Sequence, residues 1–160
     1  MAKVLMIHPD KCTGCRNCEL ACAFSHDSSQ FRLRTTRVHV YIWDREGFSV
    51  PMMCQQCEDA ACLAVCPTGA LQRNTETSVV EWDSNRCIRC RMCTLACPFG
   101  CAVYDAESSA ILKCDLCEGE PACVEACPNK ALEYVDDTVA TYSRKKAFSA
   151  KFKDAFQESH

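Results

Sequence analysis

"CIRCRMCTLACPFGC", residues 87–101, places five cysteines in fifteen positions. A near copy, "CTGCRNCELACAFS", stands at residues 12–25, so whatever the pattern serves is needed at least twice. The 160-residue chain contains 17 cysteines, a density at which cysteine chemistry organises a fold as much as apolar packing does. A chain of this length makes one compact domain or two very small ones. Aromatic residues are only 8% of it, so something besides large apolar side chains must fill part of the interior.

Disulfides, zinc and iron–sulfur clusters all use cysteine at this density. Disulfides need an oxidising compartment. The opening "MAKVLMIHPDKC" offers one lysine and the short run "VLMI", too little for a secretion signal. No stretch approaches the ~20 apolar residues of a membrane span. A cytoplasmic location is therefore expected, where clustered thiols stay reduced and bind metal. An odd cysteine total also leaves one unpaired under a disulfide scheme.

Spacing then separates zinc from iron and sulfide. A structural zinc site draws on two separated pairs, because one tetrahedral ion takes four ligands. Here the cysteines run in fours. Cys12, Cys15, Cys18 and Cys22 read C-x2-C-x2-C-x3-C; Cys87, Cys90, Cys93 and Cys97 repeat it and add Pro98. Cys54, Cys57, Cys62 and Cys66 read C-x2-C-x4-C-x3-C before Pro67, and Cys114, Cys117, Cys123 and Cys127 read C-x2-C-x5-C-x3-C before Pro128. Sixteen cysteines fall into four quartets and Cys101 is left over. A loop with cysteines two residues apart wraps one side of a [4Fe–4S] cubane, and in the run C-x2-C-x2-C-x3-C-P the fourth cysteine ligates the neighbouring cluster. Four [4Fe–4S] clusters are thus expected, with a zinc-binding interaction module as the remote alternative.

Internal repetition supports a duplicated two-quartet module: "CTGCRNCELACAF" aligns with "CIRCRMCTLACPF", and "CQQCEDAACLAVCPTGAL" with "CDLCEGEPACVEACPNKAL". Between quartets lie short β-prone segments, "KVLMIH", "RVHVYIWD", "FSVPMMC", "ALQR", "SVVEW", "AVYD", "AILK" and "ALEYV", separated by turn signals. The expectation is an α+β fold of short antiparallel hairpins with helices of one or two turns at the quartets.

The four quartets in this order, closed by "CPTGAL" and "CPNKAL", resemble the four-cluster ferredoxin-like electron-transfer subunits. These accompany molybdenum and tungsten oxidoreductases, formate dehydrogenases, dimethyl sulfoxide reductases, hydrogenases and carbon monoxide dehydrogenase. The resemblance covers residues 1–136. It implies two interlocked bacterial-ferredoxin-like (βαβ-type) halves related by a pseudo-twofold, with the first quartet paired to the fourth and the second to the third. Carried over, Cys12, Cys15, Cys18 and Cys127 would hold one cluster, and Cys114, Cys117, Cys123 and Cys22 its neighbour. Cys54, Cys57, Cys62 and Cys97 would hold a third, and Cys87, Cys90, Cys93 and Cys66 the fourth. The sequence departs from the pattern at Cys22, which Ala23 follows in place of proline. The short chain looks most like the small iron–sulfur subunit of tungsten aldehyde oxidoreductase and related benzoyl-CoA reductase complexes. That resemblance implies a non-catalytic relay. Its partners would be a catalytic metalloenzyme subunit, with a tungsten or molybdenum pterin enzyme favoured, and a further redox protein or flavin subunit. A free-standing polyferredoxin, or a ferredoxin serving hydrogenase, formate dehydrogenase or carbon monoxide dehydrogenase, is the alternative. An anaerobic setting goes with such oxygen-labile clusters.

No acid–base pair, nucleophile constellation or phosphate loop competes with this reading, and His8, His26, His39 and His160 are scattered without metal-ligand spacing. Arg86, Arg89 and Arg91 crowd the third quartet while Asp115, Glu118, Glu120 and Glu125 surround the fourth. The arginines either tune cluster potential or are ordinary solvated charges. Each four-thiolate cluster adds about −2 to the formal −3, which argues against nucleic-acid binding. Cys101 reads as a packed spectator thiol, with a spare ligand or redox sensor as the sharper alternative. Residues 137–160 contain no cysteine; Phe148, Phe152 and Phe156 recur at helical spacing among Lys145, Lys146, Lys151 and Lys153. This amphipathic C-terminal helix would pack on its own protein, dock a partner, link copies of the subunit into a chain, or touch a membrane surface.

Overall fold

The computed structural model describes residues 3–27 and 32–142. Within them the chain is a small α+β fold of four two-stranded antiparallel sheets and a few short helices. Three sheets are local hairpins: β2 (Val38–Trp43) with β3 (Phe48–Met53), β4 (Leu71–Arg73) with β5 (Val80–Trp82), and β6 (Val103–Asp105) with β7 (Ala110–Leu112). The fourth joins opposite ends of the cysteine-bearing region. β1 (Lys3–Ile7) runs against β8 (Leu132–Asp136), with Lys3 opposite Asp136 and Ile7 opposite Leu132.

Each expected extended segment is a strand, but the helices differ in length. α2 (Ala61–Ala64), α3 (Met92–Ala96) and α4 (Ala122–Glu125) are a turn or slightly more, whereas α1 (Asn17–His26) has 10 residues. The cause is local. Pro98 drives its predecessor Cys97 out of the helical region, to φ −73° and ψ 113°, and α3 stops at Ala96. At the matching place α1 meets Ala23, which leaves the backbone free, and the helix runs on to His26. Expectation of a one- or two-turn helix is corrected here by the missing proline.

The apolar interior is divided rather than continuous. Val38, Val40, Met53 and Leu132 are buried together with Cys18, Cys22 and Cys123. Leu71, Val80 and Ile111 surround Cys93, while Val79 and Leu116 pack on Cys114. α1 packs on α4, and α2 on α3. Buried Glu19 stitches α1 to the first hairpin by accepting the Val40 N–H through Oε1. Residues 137–142 begin a helix, with Ala140 buried. The rest of the amphipathic tail, with Phe148, Phe152, Phe156 and the four lysines, lies outside the described residues.

Candidate metal centres

A C-x-x-C loop must reverse tightly to aim both sulfurs inward, and one backbone solution recurs. The second intervening residue is left-handed in all four: Gly14 (φ +69°), Gln56 (+48°), Arg89 (+59°) and Leu116 (+60°). Only one is glycine. At Gly14 the requirement is steric as well as torsional, since an added Cβ would lie 3.0 Å from Ser49 Oγ and 3.1 Å from Ile42 Cδ1. The β2–β3 hairpin therefore seats directly on this loop. Arg16 (φ +60°) and Arg91 (+62°), just before α1 and α3, are left-handed too. Alternation of left- and right-handed residues builds a concavity of backbone N–H groups that suits anionic centres, iron–sulfur clusters among them.

The thiols converge in sets drawn from different quartets. Cys12, Cys15, Cys18 and Cys127 line one small cavity, bounded by Val40, Pro51 and Pro128. Cys54, Cys57, Cys62 and Cys97 line another, with Cys101 and Lys113. Cys123 has Cys114, Cys22, Cys117 and Cys18 in its neighbourhood; burial first and then these thiols push its own far above the ordinary range. Cys93 is buried with Cys66 and Cys87 close by, and its thiol is raised by burial and by Cys62, Cys87 and Cys90. Cys114 and Cys54 share a small apolar cluster, and burial pushes Cys114 up to about 12. Cys15 and Cys90 are the exposed cysteines; the others are half-buried or buried.

The quartet-closing cysteines share a further feature. Cys66, Cys97 and Cys127 each accept a backbone N–H at sulfur from the residue four positions on: Ala70 at 3.2 Å, Cys101 at 3.3 Å and Ala131 at 3.2 Å. Cys22, inside the longer α1, has no such turn and takes its N–H from Arg37 at 3.3 Å. Such bonds favour the thiolate, and the Cys22 and Cys66 thiols are lowered, against burial, by their hydrogen bonds. Converging thiols, N–H donors aimed at sulfur and left-handed loops fit a [4Fe–4S] cluster.

Around Cys22 the structure assembles groups that the sequence left apart. His26 Nδ1 donates to the Cys22 carbonyl at 2.8 Å, and Nε2 faces Asp115 at 3.2 Å. Burial disfavours the imidazolium, but the Asp115 and Cys22 bonds outweigh it and raise His26 to about 10. Asp115 also accepts from Arg37 at 2.6 Å and from the Cys117 N–H at 3.0 Å. Of the third-quartet arginines, Arg91 lies 3.9 Å over the Tyr104 ring and Arg89 donates to the Ser109 carbonyl at 3.0 Å. Arg86 reaches toward Gly69. Two residues that sequence reasoning missed are Gln56 and Lys113, which bond each other at the junction of the second and fourth quartets. Their only sequence signal is position, inside one C-x-x-C and immediately before another.

Residues 45–137 match the 4Fe-4S dicluster domain, and residues 9–25 the 4Fe-4S binding domain. The chain belongs to the 4Fe-4S dicluster family. Its cofactors are multiple [4Fe–4S] clusters. It is 40% identical over 152 residues to the putative electron transport protein YsaA of Escherichia coli K12, covering 85% of this chain and 91% of that one. It is 37% identical over 131 residues to the NADH-dependent phenylglyoxylate dehydrogenase subunit beta of Aromatoleum evansii, spanning 79% of this chain but only 29% of that protein. Among solved structures, a chain of the active site complex BamBC of benzoyl coenzyme A reductase with 1,5 dienoyl-CoA superposes with TM-score 0.50. The two are 26% identical, over 84% of this chain and 75% of that one. No helix among the described residues is long and apolar enough to cross a membrane.

Proposed function

We propose that this chain is the electron-relay subunit of an oxidoreductase complex, without catalysis of its own, and that it carries four [4Fe–4S] clusters in a line. The observation that supports the reading is that thiols of different quartets adjoin: Cys127 with Cys12, Cys15 and Cys18 around one cavity, Cys97 and Cys101 with Cys54, Cys57 and Cys62 around another, and Cys22 near Cys123. One cluster is assigned to Cys12, Cys15, Cys18 and Cys127, the next to Cys114, Cys117, Cys123 and Cys22. The third is assigned to Cys54, Cys57, Cys62 and Cys97, the last to Cys87, Cys90, Cys93 and Cys66. When bound, a cluster of this type takes up and returns one electron at a time. The order follows from which thiols adjoin: Cys18 lies near Cys123, Cys114 near Cys54, and Cys62 near Cys93.

The chain's own contribution is to hold, insulate and present these centres. The separate apolar clusters keep water from the inner sets, while exposed Cys15 and Cys90 mark the two ends as exchange points. Residues 1–136 are assigned as a duplicated pair of ferredoxin-like halves, each drawing one quartet from each repeat of the sequence and related by a pseudo-twofold. Residues 137–160 are assigned to docking, on a partner or on another copy. The catalytic partner is a molybdenum or tungsten pterin enzyme in the cytoplasm, a proposal supported by the family resemblance and by the BamBC likeness. Arg86, Arg89 and Arg91 set the potential of the Cys90 end upward, since positive charge favours the reduced state.

Anaerobic purification with co-purifying subunits tests the reading. About sixteen irons and sixteen sulfides per chain, with molybdenum or tungsten in a larger partner, is the expected result. Zinc near four per chain without sulfide refutes it. Replacement of Arg89 and Arg91 by serine should lower one midpoint potential and leave three in place; four unchanged potentials would remove the tuning assignment.

A further inference from the structure

Lys113 is a buried cation without a carboxylate. It is 5% exposed, and its Nζ donates to three neutral acceptors: the Val80 carbonyl at 2.9 Å, the Cys114 carbonyl at 3.2 Å and Gln56 Oε1 at 3.3 Å. Among the described residues no ion pair includes it. Asp115, two residues on, is engaged by His26 and Arg37. A buried charge left without an opposite charge is costly, and neutral acceptors offset only part of that cost.

The surroundings supply the missing charge. Lys113 lines the cavity formed by Cys54, Cys57, Cys62 and Cys97, and its charge acts on the Cys62 and Cys101 thiols. Its Nζ is also bonded to the carbonyl of Cys114, the first cysteine of the fourth quartet. Gln56, inside the Cys54–Cys57 loop, holds the arrangement rigid. Its Nε2 donates to the same Cys114 carbonyl at 2.7 Å, and its Oε1 accepts the Val80 N–H at 2.9 Å. The ammonium group therefore stands where the two inner cysteine sets meet, at a site only 5% exposed.

Given the four-cluster reading above, on which this inference rests, we propose that Lys113 is the shared internal counter-charge of the two inner clusters. It is a positioning residue for electrons, raising the inner reduction potentials by favouring the more negative reduced state. Screening by solvent is weak at so buried a site.

The test uses the anaerobically purified holoprotein and its Lys113→Gln and Lys113→Arg variants. Iron and sulfide are counted per chain, and each cluster is titrated by electron paramagnetic resonance. In Lys113→Gln two midpoint potentials should fall, each by about tenfold in the reduced-to-oxidised ratio at fixed potential, or about 59 mV for one electron. The other two should stay, and Lys113→Arg should restore wild-type values. Full iron content with four unmoved potentials overturns the proposal. So does Lys113→Arg behaving like Lys113→Gln, which would mean that lysine packing rather than charge matters. Should Lys113→Gln fail to assemble, Gln56→Glu places a carboxylate against Nζ and must give the same downward shift; unmoved potentials there also overturn it. Wild-type protein lacking iron and sulfide would instead overturn the four-cluster reading itself, at the first measurement.

Discussion

Replacing Gly14 by alanine separates two costs that the structure places on one residue. Its φ of +69° makes a Cβ unfavourable, by ~1 kcal/mol for a left-handed alanine. Its neighbours add a second cost. The new methyl would sit 3.0 Å from Ser49 Oγ and 3.1 Å from Ile42 Cδ1. Ile42 is 39% exposed and can swing aside, but Ser49 is buried and held in β3 opposite Ile42. Moving the hairpin by a few tenths of an ångström should bring the total to ~2 kcal/mol, within the range of ordinary damaging mutations. Gly47 is the internal control: it lies in the turn of the same hairpin at φ +60° with nothing within 4 Å of its would-be Cβ. Native-state hydrogen exchange of the β2–β3 amides reads both. Opening should become roughly 5-fold more frequent in Gly47→Ala and roughly 30-fold in Gly14→Ala, following the free-energy differences. A Ser49→Ala change added to Gly14→Ala should recover part of the loss. Equal effects at Gly14 and Gly47 would refute the claim that the hairpin rests on the first cysteine loop.

Three further outcomes are expected. Leu132→Ala should destabilise the holoprotein by ~2–5 kcal/mol in denaturant unfolding, because Leu132 is 1% exposed and packs against Cys18, Cys22 and Cys123; Leu20→Ala, at a 42% exposed site, should change little. Asp105 is held below its ordinary carboxylate value chiefly by the Ser108 side-chain bond, then by the Ser108 N–H. Because the folded value is depressed, its contribution is present above about 3.8 and lost as pH falls through the folded value. Asp105→Asn should therefore speed exchange of the Ser108 amide several-fold at neutral pH, and the difference from wild type should shrink below that window. Cys101→Ser should retain full iron and sulfide, since the backbone N–H that Cys101 gives to Cys97 is unchanged; loss of four irons would make Cys101 a ligand instead.

Sequence alone made the elements of this protein legible where physics is local. Strand positions followed from short β-prone runs between turn signals, and the cysteine quartets from spacing, because both depend on residues a few positions apart. Helix α1 is longer than the quartet spacing implies, although the cause, Ala23 in place of proline, is visible in the chain. What only the tertiary structure decided was adjacency. Which thiols share a cavity depends on β1 meeting β8 and on α1 packing against α4, contacts between residues at least 96 positions apart. Cysteine spacing carries no information about such distances. The same holds for charge. Lys113, Gln56, His26, Arg37 and Asp115 look like ordinary polar residues in the chain, and only folding withdraws water from Lys113 and gives Asp115 two cationic partners. Solvation and distance, which set the weight of a charge, exist only once the chain is closed on itself.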